Sequence, residues 1–146
     1  MKKVLYTAFV GILCFFFSCS IAPESINYGH DACHFCKMTI VDQQHSAQYV
    51  TSKGKQFKFD AIECMANELS EKDMDNIAIF LVADYDKPGQ MTPAFEATYH
   101  ISEEIKSPMG ANLSGFSSKE NALNMKSSKE GDVYNWNELL IKFDAK

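Results

Sequence analysis

The run Val50-Thr51-Ser52-Lys53-Gly54-Lys55-Gln56-Phe57-Lys58-Phe59-Asp60-Ala61-Ile62-Glu63-Cys64-Met65 holds the signals that set the fold. Ala47, Tyr49 and Thr51 alternate on one face, and Phe57 and Phe59 resume the alternation after the turn Ser52-Lys53-Gly54-Lys55. That pattern predicts a β-hairpin. Asp60, with Glu63 three residues on, reads as a capping box opening a helix. Ile62, Met65, Ala66 and Leu69 then recur at helical spacing, which predicts about three turns. Ile77 to Tyr85 is a short apolar run rich in Ile, Val and Phe, expected as a core strand.

The same order returns downstream. Phe95, Ala97 and Tyr99 alternate within a predicted strand from Ala94 to Ile101. A loop containing Ser107-Pro108-Met109-Gly110 leads to Phe116. Ser117-Ser118-Lys119-Glu120 reads as a second capping box, and Ala122, Leu123 and Met125 extend a helix stopping near Glu130-Gly131. Val133, Tyr134 and Trp136 follow as strand-like residues. Phe59 and Phe116 lie 57 positions apart, each with a Glu four residues later. The expected fold class is therefore α+β, with two related β-β-α-β halves, 30–92 and 93–146, packed as one compact unit because neither alone has an adequate core.

Upstream, Lys2 and Lys3 precede an apolar stretch from Val4 to Phe17 and then Ser18, Cys19 and Ser20. Fourteen residues of helix span roughly 21 Å, short of the roughly 30 Å hydrocarbon core. The order of charge, apolar run and small residues is that of an export signal over 1–18. Phe16-Phe17-Ser18-Cys19 resembles a bacterial lipobox, although Phe departs from its usual Leu and small residues. Cys19 is thus read as the diacylated mature N-terminus, with a simply cleaved signal or an uncleaved anchor as alternatives. Residues 19–29 are read as a tether, and the domain as a lipid-anchored protein of the cell envelope.

Among 146 residues the 14 basic ones are all Lys, and the formal net charge is -5. Without the bidentate fork of Arg, and with that charge, nucleic-acid binding is excluded as a function class. Five cysteines are present. Cys14 leaves with the signal and Cys19 is assigned to lipid, so Cys33, Cys36 and Cys64 remain. An odd number cannot all pair as disulfides.

The densest sulfur-bearing stretch is Cys33-His34-Phe35-Cys36-Lys37-Met38. A C-x-x-C spacing suits a metal or a dithiol switch. Met38 adds a thioether, a donor that suits Cu(I) and offers little to harder ions. Cys64 falls in the first turn of the predicted helix, where amide dipoles favour a thiolate. Knuckle cysteines, a hairpin and a cysteine at a helix start are the parts of a treble-clef site, but Ala61 and Asn67 leave its fourth ligand missing. His34 and His100 are auxiliary candidates. His30, His45 and the acidic cluster Glu68, Glu71, Asp73 and Asp75 read as surface. Without a G-x-S-x-G, H-E-x-x-H or Gly-rich phosphate loop, no enzyme is expected.

The cysteine phrase, the phrase Phe59-Asp60-Ala61-Ile62-Glu63-Cys64-Met65, and Ser107-Pro108-Met109-Gly110 with Phe116 together resemble the NosL family over roughly residues 30 to 137. The resemblance implies a periplasm-facing lipoprotein chaperone for Cu(I) that supplies nitrous oxide reductase or another copper-accepting protein alongside a membrane transporter complex. It implies the duplicated fold shared with the alkylmercury lyase accessory module. It assigns Met109 as the family's methionine ligand and carries the first motif onto Cys33, Cys36 and Met38, with Cys64 as a further metal candidate. Lys37 stands where many members have Gly. A thiol–disulfide oxidoreductase using Cys33 and Cys36 and a lipoprotein with a structural zinc are the rival readings.

Overall fold

A computed structural model describes residues 21–144. The export signal, Cys14 and the proposed lipid site Cys19 lie outside them.

Strand β1 (Ala47–Thr51) pairs antiparallel with β2 (Gln56–Phe59), Tyr49 opposite Phe57 and Ala47 opposite Phe59. These pairs put three aromatic rings on one face, where Tyr49 stacks on Phe57 at 4.6 Å. Helix α1 (Ile62–Leu69) follows directly and buries all but one of its residues. The chain returns as β3 (Ile77–Ala83) on the other side of β1, and β4 (Met91–Pro93) extends that edge, giving the order β2-β1-β3-β4.

The second half repeats the plan. Strand β5 (Thr98–Ile101) pairs with β6 (Leu113–Phe116), helix α2 (Lys119–Ser128) follows, and β7 (Asp132–Tyr134) returns beside β5. The order β6-β5-β7 reproduces β2-β1-β3, with every pairing antiparallel. The α+β class with two related β-β-α-β halves stands. The periodicity at Phe59 and Phe116 marked equivalent places, since each is the last residue of the second hairpin strand.

Several local expectations are corrected. The cap of α1 is Ala61, with no side-chain cap bond, and the helix has eight residues rather than three turns. Asp60 turns instead toward the Val41 amide, and Glu63 accepts the Ser107 hydroxyl. At α2 the cap is Ser118, which accepts the Asn121 amide at 3.3 Å, so Glu120 falls one position short of the box. The strand expected from Ala94 begins only at Thr98, because Pro93 to Ala97 close a turn through Glu96 and Ala97 amides on the Pro93 carbonyl.

Trp136, expected in a strand, starts a further helix, α3 (Trp136–Asp144). Its apolar stripe Trp136, Leu139, Leu140 and Phe143 has helical spacing. Trp136 lies 5.7 Å from the Tyr99 ring and 6.1 Å from Phe80, so α3 joins the two halves into one core.

Residues 21–29, expected as a tether, run along the outer edge of β2. Gln56 donates to the Ala22 carbonyl and accepts the Glu24 amide, and Lys58 bonds the Ser25 carbonyl and the Asp31 carboxylate. Ile26 and Tyr28 pack on the core.

Candidate metal centre

The arm delivers the chain into a knuckle pinned by Cys33 N–H to the Met38 carbonyl and Lys37 N–H to the Cys33 carbonyl. Lys37 closes it at φ +67, a left-handed conformation that glycine adopts most easily. The knuckle docks on the end of β2 through the His34 amide and the Lys58 carbonyl. Glu68, one turn beyond Cys64, places a carboxylate oxygen 3.5 Å from His34 Nε2 and accepts the Tyr49 hydroxyl at 2.8 Å. Knuckle and helix are thereby locked together.

This packing brings the Cys33, Cys36 and Cys64 sulfurs within 4.8 Å of one another. All three are free thiols. Cys33 and Cys64 are buried and Cys36 is half-buried at the rim. A metal about 2.3 Å from each of two sulfurs holds them no more than ~4.6 Å apart, so the set needs little movement to close on one ion. Among the described residues no other group of His, Cys, Asp or Glu ligand atoms is so arranged, and neither His34 nor His100 joins this one.

The thiols divide by protonation. A hydrogen bond from the Cys64 S–H, supported by the Asp60 and Cys36 amides, overcomes burial and holds Cys33 well below the usual thiol range. Cys64 is pushed up, first because its proton is held on the Cys33 sulfur and then by burial. Burial also raises Cys36. The expectation that the helix start would favour a Cys64 thiolate is therefore corrected: Cys33 beside it takes the negative charge and Cys64 donates. Two buried carboxylates flank the sulfurs, Asp60 and Glu63, with Oδ1 and Oε2 lacking partners. Burial, with repulsion from Cys33, Asp42 and Glu63, raises the Asp60 carboxyl.

The thioethers are outside this cluster of buried sulfur. Met38 and Met109 are both exposed, whereas Met65 is fully buried in the core. Met109 occupies a turn closed by the Gly110 amide on the Ser107 carbonyl. Ser107 is bonded to Glu63, the neighbour of Cys64, so the turn is tied to the helix that carries the third thiol. Polar residues read as surface prove internal. His45 is 3% exposed, between Asp42 at 2.9 Å and Ser114 at 3.3 Å. Glu68 is buried, and His100 is fully buried in the central strand β5 with neither ring nitrogen partnered. Packing of elements distant in sequence helps bury them, with Ser114 beside His45 and Tyr49 beside Glu68.

Among the described residues no helix is long and apolar enough to cross a membrane. No curated protein sequence is significantly similar to the chain. Its fold is similar to the crystal structure of the copper chaperone NosL from Shewanella denitrificans, with a TM-score of 0.71 and 20% identity over 82% of this chain and 96% of that one. The family model for NosL matches residues 25–142, and the chain belongs to the NosL family.

Proposed function

We propose that this protein is a Cu(I) metallochaperone, not an enzyme, anchored to the membrane by lipid on Cys19 and facing the periplasm. The observation that carries this reading is a set of three convergent thiols, joined by no His, Asp or Glu ligand among the described residues. Cu(I) accepts low-coordinate soft sulfur sites, whereas structural zinc takes four firm ligands. Membership of the family and the fold shared with a copper chaperone support the same cargo.

Cys33 and Cys36 hold the ion, with Met109 as a neutral third donor and Met38 and Cys64 in support. Half-buried Cys36 is the point of entry and exit. A thiolate or thioether of the acceptor attacks copper there before the last protein–copper bond breaks. Nitrous oxide reductase or another exported cuproprotein is the proposed acceptor, served together with a membrane transporter complex.

The oxidoreductase reading fits less well. Disulfide exchange needs an accessible thiolate, but the low-pKa Cys33 is 1% exposed and the accessible Cys36 is raised. Anaerobic titration of the domain is expected to give one tight Cu(I) site and no insulin reduction. Unchanged affinity in a Cys33→Ser, Cys36→Ser, Met109→Ala variant would overturn the assignment, as would a bound zinc that survives strong chelators.

A further inference from the structure

The loop from Ser102 to Asn112 reaches α1 through the Ser107–Glu63 side-chain pair. The Ser107 hydroxyl donates to Glu63 Oε1 across 44 positions of sequence and accepts the Asn112 amide at 2.8 Å. Ser107 is 8% exposed and Glu63 2%. Glu63 Oε2 has no partner. A carboxylate buried this deeply for a single hydroxyl is costly unless that bond does something for the site. Its place indicates what: Glu63 immediately precedes Cys64, and Ser107 opens the turn that carries Met109.

We propose that the Glu63–Ser107 bond is a latch that holds the turn carrying Met109 against α1, the helix that carries Cys64, so that the Met109 thioether is available to copper held by the thiols. The proposal rests on the copper reading above and adds two positioning residues to it. Met109 is two peptide units from Ser107, at most about 7.6 Å between Cα atoms. Gly110, at φ +79, lets the chain reverse within that distance. Met109 and Gly110 are exposed, while Ile105 and Ala111 on either side pack inward, so the latch governs the tip of the loop rather than the whole of it. With it, an exposed thioether is carried on a turn fixed to α1, and breaking one hydrogen bond loosens that turn when copper is handed over.

The test uses the soluble domain with methionine labelled at the ¹³C ε-methyl, titrated anaerobically with Cu(I). In the parent the Met109 methyl resonance is expected to shift with one equivalent of copper. Ser107→Ala is expected to bind one equivalent at the thiols with the Met109 shift largely lost and affinity lowered about fivefold, the order of one hydrogen bond. Ser107→Thr, which keeps the hydroxyl, is expected to restore both. A full Met109 shift in Ser107→Ala overturns the latch. A parent that binds copper at the thiols without moving Met109 also overturns it, yet leaves the copper reading standing. A parent that binds no copper removes the reading itself. Should Ser107→Ala fail to fold, Glu63→Gln tests the same pair: a neutral acceptor makes a weaker bond, so a reduced Met109 shift is expected and an undiminished one overturns the proposal.

Discussion

The Asp84 carboxylate sits against the second hairpin, β5-β6, where the Cys33 sulfur sits against the first, β1-β2. Each follows the equivalent local geometry: the amide after Cys33 bonds the Lys58 carbonyl, and the amide after Asp84 bonds the Gly115 carbonyl, with Lys58 and Gly115 each one place before the terminal Phe of its hairpin. Each also receives the amide just beyond that Phe, from Asp60 onto Cys33 and from Ser117 onto Asp84. Around Asp84 the carboxylate is closed off by the Ser117 hydroxyl at 2.6 Å and the Lys87 ammonium at 3.5 Å. The duplicated frame thus holds sulfur and room for an ion on one side, and a satisfied ion pair on the other.

The Asp84 carboxylate, bonded to Ser117 at the end of the second hairpin, makes the junction of the two halves acid-sensitive. Burial pulls the Asp84 pKa upward, but the Ser117 and Asp86 hydrogen bonds and Lys87 outweigh it, and the folded value lies below 3.8. A depressed folded value means stability that is complete above the unfolded value and lost as pH falls through the folded one. Asp84→Asn is expected to lose about 2 kcal/mol near neutral pH, the range for a charged hydrogen bond. The gap between parent and variant should shrink below pH 4 in urea unfolding. A constant gap from pH 7 to pH 2.5 would rule out this role.

The hairpin, the β3 strand and the knuckle were legible because their determinants are local: alternation, a turn rich in small and polar residues, and cysteine spacing. The Phe59 and Phe116 offset exposed the duplication for the same reason. The helix caps were misread because Asp60 and Glu63 are recruited by Val41 and Ser107, partners invisible at short range. His45 and Glu68 read as surface from sequence, and His100 as an auxiliary ligand, because a polar residue's own neighbours give no sign that distant elements will pack over it. Helix α3 is a different case. Its stripe at Trp136, Leu139, Leu140 and Phe143 is local, but the strand-like Val133 and Tyr134 run directly into Trp136 and mask where the helix starts. In the site, three thiols could be listed from sequence, but only the packing of knuckle against α1 separates the one that ionises from the two that keep protons.

Gly131 supports β7 at close quarters. It has φ +149, and a Cβ there would lie 2.1 Å from the Ile101 carbonyl oxygen and 2.7 Å from His100 Nε2. The nearer atom is backbone in the central strand, so no rotamer change relieves the clash. Gly131→Ala is expected to cost about 3 kcal/mol or more, in the range of strongly overpacked sites. The check is the chemical denaturation midpoint. A variant within about 0.5 kcal/mol of the parent would show that β7 is free to move, since that is the range of neutral surface changes.

The arm along β2 is held mainly by Lys58, which is 15% exposed and bonds Asp31 at 2.7 Å and the Ser25 carbonyl at 2.9 Å. Lys58→Ala is expected to free residues 21–29 while leaving the core intact. Limited proteolysis should then cut in the arm at least tenfold faster, the effect of about 1.4 kcal/mol on local opening. Hydrogen exchange of the Glu24 and Asn27 amides should rise in parallel. An unchanged cleavage rate would mean that the Gln56 bonds and the packing of Ile26 and Tyr28 fix the arm without Lys58.

Counting protons released on copper binding discriminates among ligand sets. Cys33 is already a thiolate at neutral pH, held down by the Cys64 S–H and two amides. It therefore contributes no proton. Cys36 is raised and must lose one to bind. If Cys64 also ionised, the copper site would carry a net charge of about -2 beside the buried Asp60 and Glu63, an arrangement that desolvation makes unfavourable. The set of Cys33, Cys36 and a neutral thioether avoids this and lets Cys64 keep its proton as a donor. One proton per copper is expected, so affinity should rise about tenfold per pH unit between pH 6 and pH 8. Competition against a Cu(I) chelator of known proton dependence measures that slope. A hundredfold rise per unit would mean two protons and a three-thiolate site, and no dependence would mean that Cys36 does not bind at all.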